Sequence, residues 1–364
     1  MTLKILYISP ENTVGVLSIW KKAHEERGNY SRYITLYPSK LGYEDDIVLN
    51  LPFVSSSDRY IHLRTFLQKV FYKRNPKHEK IEEYPIWSPV NYLEKFWFQI
   101  RDFIWSCFFK KIVSQYELDD FDIYHFEWGL DIFRDCRFSL NLAKKGKSIV
   151  CHYHGPDLRT RGVIPQLDKV SKLNLTNEVD LLTKHKNINY IYLPYDTNQY
   201  QIKKKLNNRI KIFHCTMNRY YKGSDIIISV CKKLEREYNI EFILMEREPH
   251  NKTMKEKYNC DINIDQISNT GGWGYGMNSI ESLSMGICTA TNMNLHMKEF
   301  MPNHPFYEID ESNLYSQLEY LILNPKLIME YGKKGKKWVD ENHNYVKVTE
   351  ILYKYYLQSE IIVR

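Results

Sequence analysis

The residues best suited to chemistry cluster in two stretches of the second half of the chain. The first is His214-Cys215-Thr216-Met217-Asn218-Arg219-Tyr220-Tyr221-Lys222-Gly223-Ser224. An apolar strand ends here, a loop carries Arg219 and Lys222, and a helix is expected to start with Ser224 as its N-cap. Cations beside the free backbone N–H groups of a helix start make an anion site, and a sugar diphosphate is its natural occupant. The plain alternative is a basic surface loop closed by Gly223.

The second stretch runs Asp265-Gln266-Ile267-Ser268-Asn269-Thr270-Gly271-Gly272-Trp273-Gly274-Tyr275-Gly276-Met277-Asn278-Ser279-Ile280-Glu281 and ends at Met285-Gly286. A strand leads into a glycine-dense loop, and Ser279 fits the N-cap of a helix with Glu281 in its first turn. Glycines let the backbone approach a ligand closely, and a carboxylate at Glu281 can accept both hydroxyls of a ribose. Alternatively the glycines only make turns and Glu281 complements the helix dipole. The density of glycines from Gly271 to Gly276 weighs against that.

In the first half, His125, His152 and His154 each end or follow an apolar run. A single histidine there is usually structural. Three on neighbouring strand ends favour at least one facing a cleft. Asp120-Phe121-Asp122 has the spacing of a metal-binding D-x-D, but it directly precedes a strand, where Asp commonly makes turns. No other cluster has the character of a metal ligand set, so no metal is expected. Phe96 to Lys111 is dense in aromatic residues beside Lys110 and Lys111. It reads either as an interfacial segment for a lipid-linked acceptor, in peripheral contact with a membrane, or as a core helix of the first domain. The second reading is preferred, because the aromatics occupy nearly every face.

These residues need an open parallel α/β framework to bring them together. Leu3–Ser9 reads as a buried strand, Val16–Arg27 as a helix closed by Gly28, and Tyr33–Leu36 as the next strand, a βαβ opening. Asp122–Phe126, Ser148–Tyr153 and Tyr190–Leu193 read as further strands, and residues 56–118 as helices with a polar insert at Arg74–Glu83. The alternation resumes with strands at Ile210–Phe213, Phe242–Met245, Ile262–Ile264 and Ile287–Ala290. The expected architecture is two tandem Rossmann-like, doubly wound domains with a cleft between them. The first covers residues 1–195 and the second 205–345, with a terminal helix at 346–364 packing back on the first. Ligands in such sheets sit beyond the carboxyl ends of the strands.

Composition narrows the classes. At 364 residues the chain suits two domains, and a net charge of +7 is too mild to point to nucleic acid, for which no recognition motif appears. Seven scattered cysteines, with no C-x-x-C pair, fit a reducing, cytoplasmic setting. No charge-free apolar stretch is long enough to span a membrane.

The segment from His214 to Asn292 resembles the C-terminal half of the retaining family-four glycosyltransferases of GT-B fold. The parts in order are an Arg/Lys-Gly segment, a helix, a strand, the Asp265-Gln266 strand end, the glycine loop and Glu281 before Met285-Gly286. The resemblance implies metal-independent sugar transfer from a nucleoside-diphosphate donor to a glycan, lipid-linked or small-molecule hydroxyl acceptor, with no bound cofactor. It implies that Arg219 and Lys222 hold the donor diphosphate and Glu281 the ribose, with Asp265, Gln266, Trp273 and Gly274 also lining the donor site. Trp273 stands where the family usually has a carboxylate, so it either stacks on a less hydroxylated donor sugar or packs into the domain. In the first half, Gly15 resembles the glycine loop facing the donor phosphates. His125 resembles an active-site histidine, and Cys151-His152-Tyr153-His154-Gly155-Pro156-Asp157-Leu158-Arg159 resembles an H-G-x-D-x-R segment. That places His154 with His125 as catalytic, and His152, Asp157 and Arg159 on the acceptor side. The rivals are a sugar-nucleotide epimerase of the same fold and a non-catalytic nucleotide- or glycan-binding protein.

Overall fold

A computed structural model describes residues 2–53, 85–89 and 91–363. Of the helices expected over residues 56–118, the part up to residue 84, including the insert at Arg74–Glu83, lies outside the described residues. The first sheet contains β1 (Lys4–Ser9), β2 (Tyr30–Thr35), β3 (Ile47–Val48), β4 (Ile123–Glu127), β5 (Ser148–Tyr153), β6 (Leu173–Thr176) and β7 (Ile188–Tyr190). They align in the order β3-β2-β1-β4-β5-β6-β7, every pairing parallel. The second sheet contains β8 (Ile210–Thr216), β9 (Ile240–Glu246), β10 (Ile262–Ile264), β11 (Cys288–Thr291) and β12 (Tyr307–Glu308). Its order is β12-β11-β10-β8-β9, also parallel throughout. Two parallel α/β sheets, one per half, are thus the architecture of the chain. Near-continuous apolar runs such as Ile5-Leu6-Tyr7-Ile8 are what strands covered on both faces require.

Three short strands escape the sequence pattern. β3 and β12 have two residues each, and β6 is the mixed tetrad Leu173-Asn174-Leu175-Thr176. The strand expected at Tyr190–Leu193 lies earlier, at Ile188–Tyr190. The ladder ends where Ile191 N–H reaches Thr176 O, and the carbonyl of Leu193 instead accepts from His343 Nδ1. Both expected serine caps are also displaced. Gly223, in the left-handed region, precedes helix Ser224–Glu237, and Ser224 Oγ lies 2.8 Å from His214 Nε2. Helix Met277–Ser284 starts before Ser279, whose hydroxyl donates to Asp265 Oδ2 at 2.5 Å. In each case a buried partner claims the hydroxyl that a cap would use.

Helix Tyr345–Gln358 lies against the first sheet, where Val348, Leu352 and Tyr356 share a core with Ile5, Tyr7 and Trp20. On the other face, helix Tyr92–Tyr116 buries only Asp102, Trp105 and Phe109. Tyr92, Leu93, Phe96, Phe103 and Phe108 stay exposed, so one stripe of this helix, Trp105 and Phe109, joins the first domain's core as the preferred reading expects, and the opposite face does not. Among the described residues no helix is long and apolar enough to cross a membrane.

Strand order decides where a ligand fits. In the first sheet the direction of winding reverses between β1 and β4, and in the second between β8 and β10. The loops leaving neighbouring strands there part to opposite faces and open a crevice at the carboxyl ends. Gly15 follows β1, Glu127 ends β4, Lys222 follows β8 and Asp265 follows β10.

Candidate functional site

On the second domain the centre is a buried ion pair. Lys222 Nζ lies 2.5 Å from Asp265 Oδ1, and Asp265 is 2 % exposed. Asp265 also accepts from Ser279 Oγ at 2.5 Å, from Asn278 Nδ2 at 3.0 Å and from the Gly276 N–H at 3.4 Å. Its carboxylate therefore occupies the donors at the start of helix Met277–Ser284. Burial would raise the Asp265 pKa, but the Lys222 charge and these donors outweigh it and hold it well below the usual carboxylate range. Lys222 shifts the opposite way: burial alone would lower it, and Asp265 raises it on balance. Asp265 takes one of three ammonium protons, leaving two donors for an anion.

Arg219 stands apart from this pair. Its Nε and Nη2 bind Glu246 at 2.7 and 2.6 Å, and Nη1 binds Asp225 at 2.9 Å, with nearly half the side chain exposed. Two carboxylates compensate its charge, so Lys222 is the better placed cation for a diphosphate.

Glu281 is 4 % exposed and both of its oxygens are engaged, Oε1 by His250 Nε2 at 2.8 Å and Oε2 by the fully buried Lys257. Burial would raise its pKa, but Lys257 and His250 together lower it, so it is a fixed anion with lone pairs to spare. Neither partner shows in the sequence pattern, because helix His250–Tyr258 is otherwise polar and lysine-rich. Gln266 Nε2 donates to Gly272 O at 2.9 Å, and Thr291 Oγ1 donates to Gly274 O at 2.7 Å, which ties the glycine loop down. Trp273 is half-buried and lies flat on His296, the ring centroids 5.0 Å apart and 14° from coplanar.

The first domain reaches the same place through two contacts. The loop carrying Tyr43 packs over Gly15, where an added Cβ would stand 2.6 Å from the Tyr43 ring. Tyr43 in turn packs against His250, the rings 4.4 Å apart and tilted by 37°, and the His250 backbone N–H donates to Leu41 O at 3.2 Å. Gly15 and Glu281 thus face each other across Tyr43 and His250. The second contact is Arg159, held by Asp180 at 2.6 Å and Glu178 at 2.8 Å, which donates to Gly271 O at 3.1 Å. Gly272, at φ +135°, must be glycine, since its Cβ would fall 2.7 Å from Arg159 Nη2. Arg159 therefore bridges the domains, while Asp157 caps the backbone N–H groups of His154, Gly155 and Leu158.

The three histidines separate. His125 is enclosed, its Nε2 2.5 Å from Tyr356 Oη and its ring stacked on Tyr7 at 4.3 Å, so it ties the terminal helix to the sheet. This departs from the catalytic role implied by resemblance, since the returning helix covers the strand face that carries His125. Burial pushes both His125 and His152 well below the ordinary imidazole range. His154 is the partly exposed one, with Nε2 2.5 Å from Glu127 Oε2. Burial would lower its pKa, but the bond to Glu127 and its charge raise it on balance. Glu127, His152 and His154 present ligand atoms within 4.8 Å of one another, a grouping the sequence reading did not find. Asp120 and Asp122 sit at the opposite, amino end of β4, bound to Lys4.

No protein-family model matches the chain, and no curated protein matches it. Solved structures do. The chain is similar to Anabaena HepE in complex with UDP-glucose, at a TM-score of 0.55 and 11% identity over 97% of this chain and 98% of that one. It is similar to an α-glucosyltransferase in complex with UDP and a DNA containing a modified base, at 0.57 and 8% identity over 97% and 98%. It is also similar to the glycosyltransferase SnogD from Streptomyces nogalater, at 0.52 and 10% identity over 98% and 100%. The fold is the two-domain GT-B arrangement.

Proposed function

We propose that this chain transfers a sugar from a nucleoside-diphosphate donor to a hydroxyl acceptor. One observation carries the reading: Glu281 and the glycine loop of the second domain meet Gly15 and Arg159 of the first through Tyr43, His250 and Gly271, beside the Lys222–Asp265 pair. The structural neighbours bound to UDP or UDP-glucose add support. In this reading Glu281 receives the ribose and Lys222 the diphosphate. The bond from the sugar's anomeric carbon to the diphosphate breaks, and one to the acceptor oxygen forms. The ammonium of Lys222 stabilises the charge that builds on the leaving diphosphate, in the place a metal takes elsewhere. The acceptor oxygen approaches on the face that the diphosphate leaves, so the departing phosphate oxygen takes its proton and the anomeric configuration is kept. His154 faces the reacting sugar from the first domain, and Arg219 and Asp265 act through the loops they anchor. The acceptor enters over the first domain, and a lipid-linked acceptor would suit the exposed aromatic residues of helix Tyr92–Tyr116 beside Lys110 and Lys111.

A thermal-shift panel of UDP, GDP, dTDP, ADP and CMP tests the donor class, followed by assays of sugar release with and without acceptor sugars. Stabilisation by one nucleoside diphosphate with acceptor-dependent turnover is expected. Binding without any turnover of matching donors would leave a non-catalytic binding protein, and a free, isomerised sugar nucleotide would indicate an epimerase.

A further inference from the structure

We propose that Glu127, His152 and His154 bind a divalent transition-metal ion, Zn²⁺ in the first instance, on the first domain and apart from the diphosphate site. Glu127 ends β4 in register with His152 of β5, and His154 lies two residues further along, so all three side chains emerge from one face of adjacent parallel strands. Their ligand atoms lie within 4.8 Å of one another. Glu127 Oε2 is 2.5 Å from His154 Nε2 and 3.7 Å from His152 Nδ1. Ligands about 2.0–2.1 Å from a tetrahedral ion stand roughly 3.3 Å apart, so these separations bracket what an ion needs.

The protein alone leaves this cluster poorly satisfied. Glu127 Oε1 is buried without a hydrogen-bond partner, and the buried His152 Nε2 reaches only the side chain of Asn177. A proton on His152 Nε2 would serve Asn177 Oδ1. That tautomer turns the Nδ1 lone pair toward Glu127 Oε2, 3.7 Å away, an oxygen it cannot bond and that His154 Nε2 shares. A cation at that point displaces the proton between His154 and Glu127 to solvent and is bound by all three side chains. Buried unpaired carboxylate oxygens are uncommon, and an ion or a water is the usual partner of such a group. Two imidazoles and one carboxylate suit Zn²⁺, Co²⁺ or Fe²⁺ better than Mg²⁺ or Ca²⁺. Asn177 then holds the ligating ring in its tautomer, as outer partners of metal-bound histidines do. Three protein ligands leave a position open, and His154 is the partly exposed member through which a water or a substrate oxygen reaches it.

The test uses the full chain, stripped with a chelator, exchanged into chelator-free buffer and titrated with Co²⁺. Saturation near one equivalent is expected, with the visible absorption of a low-coordinate Co²⁺ centre, displaced by Zn²⁺. Glu127→Gln and His154→Gln should each weaken Co²⁺ binding by more than about tenfold. Circular dichroism checks folding, and if Glu127→Gln does not fold, His154→Gln at the rim decides alone. Absence of saturable Co²⁺ binding in the wild type would overturn the proposal. So would a spectrum that survives His154→Gln. Neither readout depends on transferase activity, so the outcome is independent of the function proposed above.

Discussion

Lys222→Ala separates the structural and ligand-binding roles of one side chain. The lysine faces a carboxylate that is 2 % exposed, so its removal leaves the Asp265 charge buried without its cation. Losing one member of a buried pair costs about 3–5 kcal/mol. Asp265 keeps the donors of Ser279, Asn278 and Gly276, which places the expected loss near the lower end, about 3 kcal/mol. Asp265→Asn in the Lys222→Ala background removes the stranded charge and should recover part of that loss. Urea denaturation of the two single variants and the double variant measures the coupling. Its pH dependence has a definite sign. The folded Asp265 value is depressed, so its contribution is complete above the ordinary 3.8 and is lost only as pH falls through the lower folded value. The folded Lys222 value is raised, so its contribution is complete below the ordinary 10.5 and is lost as pH rises past the folded value. The stability gap between wild type and Lys222→Ala should therefore be level from about pH 5 to 10. Calorimetry with UDP completes the assay. Charge-assisted hydrogen bonds contribute roughly 1.5–3 kcal/mol, so affinity should fall about tenfold or more. A well-folded Lys222→Ala variant with wild-type urea midpoint and wild-type UDP affinity would refute both roles.

Four further outcomes follow from specific contacts. Burial, with Lys222 nearby, holds His214 down to about 4, so as pH falls below the usual 6.5 the unfolded chain takes up its proton first. Stability should fall by about 3 kcal/mol between those values, and His214→Gln should flatten that acid limb in denaturation curves. Gly272→Ala forces a Cβ against the pinned Arg159 at a left-handed φ, and calorimetric melting should report a loss of roughly 1–3 kcal/mol. Trp273→Phe weakens the stack on His296 by about 1 kcal/mol, and a donor panel should rank sugars as in wild type; a changed ranking would return Trp273 to the donor-sugar site. Flotation with anionic liposomes should carry the protein upward, and less so after Lys110→Glu with Lys111→Glu, if the exposed aromatic helix seats on lipid.

What could be read from the sequence and what could not divide along one physical line. Local order left marks: the apolar run Ile5–Ile8, the helix closed before Gly28 and the glycines from Gly271 to Gly276 are each set by their own neighbours in the chain. Residues joined only by the sheet left none. His125 and His154 look alike in sequence, both histidines at the end of an apolar strand. They differ because the terminal helix, more than two hundred residues beyond His125, lays Tyr356 over one and leaves the other at the cleft. Glu127 gave no signal for the same reason, since its meaning comes from standing in register with His152. Lys257 sits in a helix with no apolar pattern to single it out, yet it is the buried partner of Glu281. Arg219 is the converse case. Its position beside Lys222 and a helix start suggested an anion site, but Asp225 and Glu246 arrive from a neighbouring helix and strand to take its charge. Motif spacing therefore marks the loops at the ends of the strands, and the pairing of strands and helices decides which of their side chains are buried, which are paired and which are committed elsewhere.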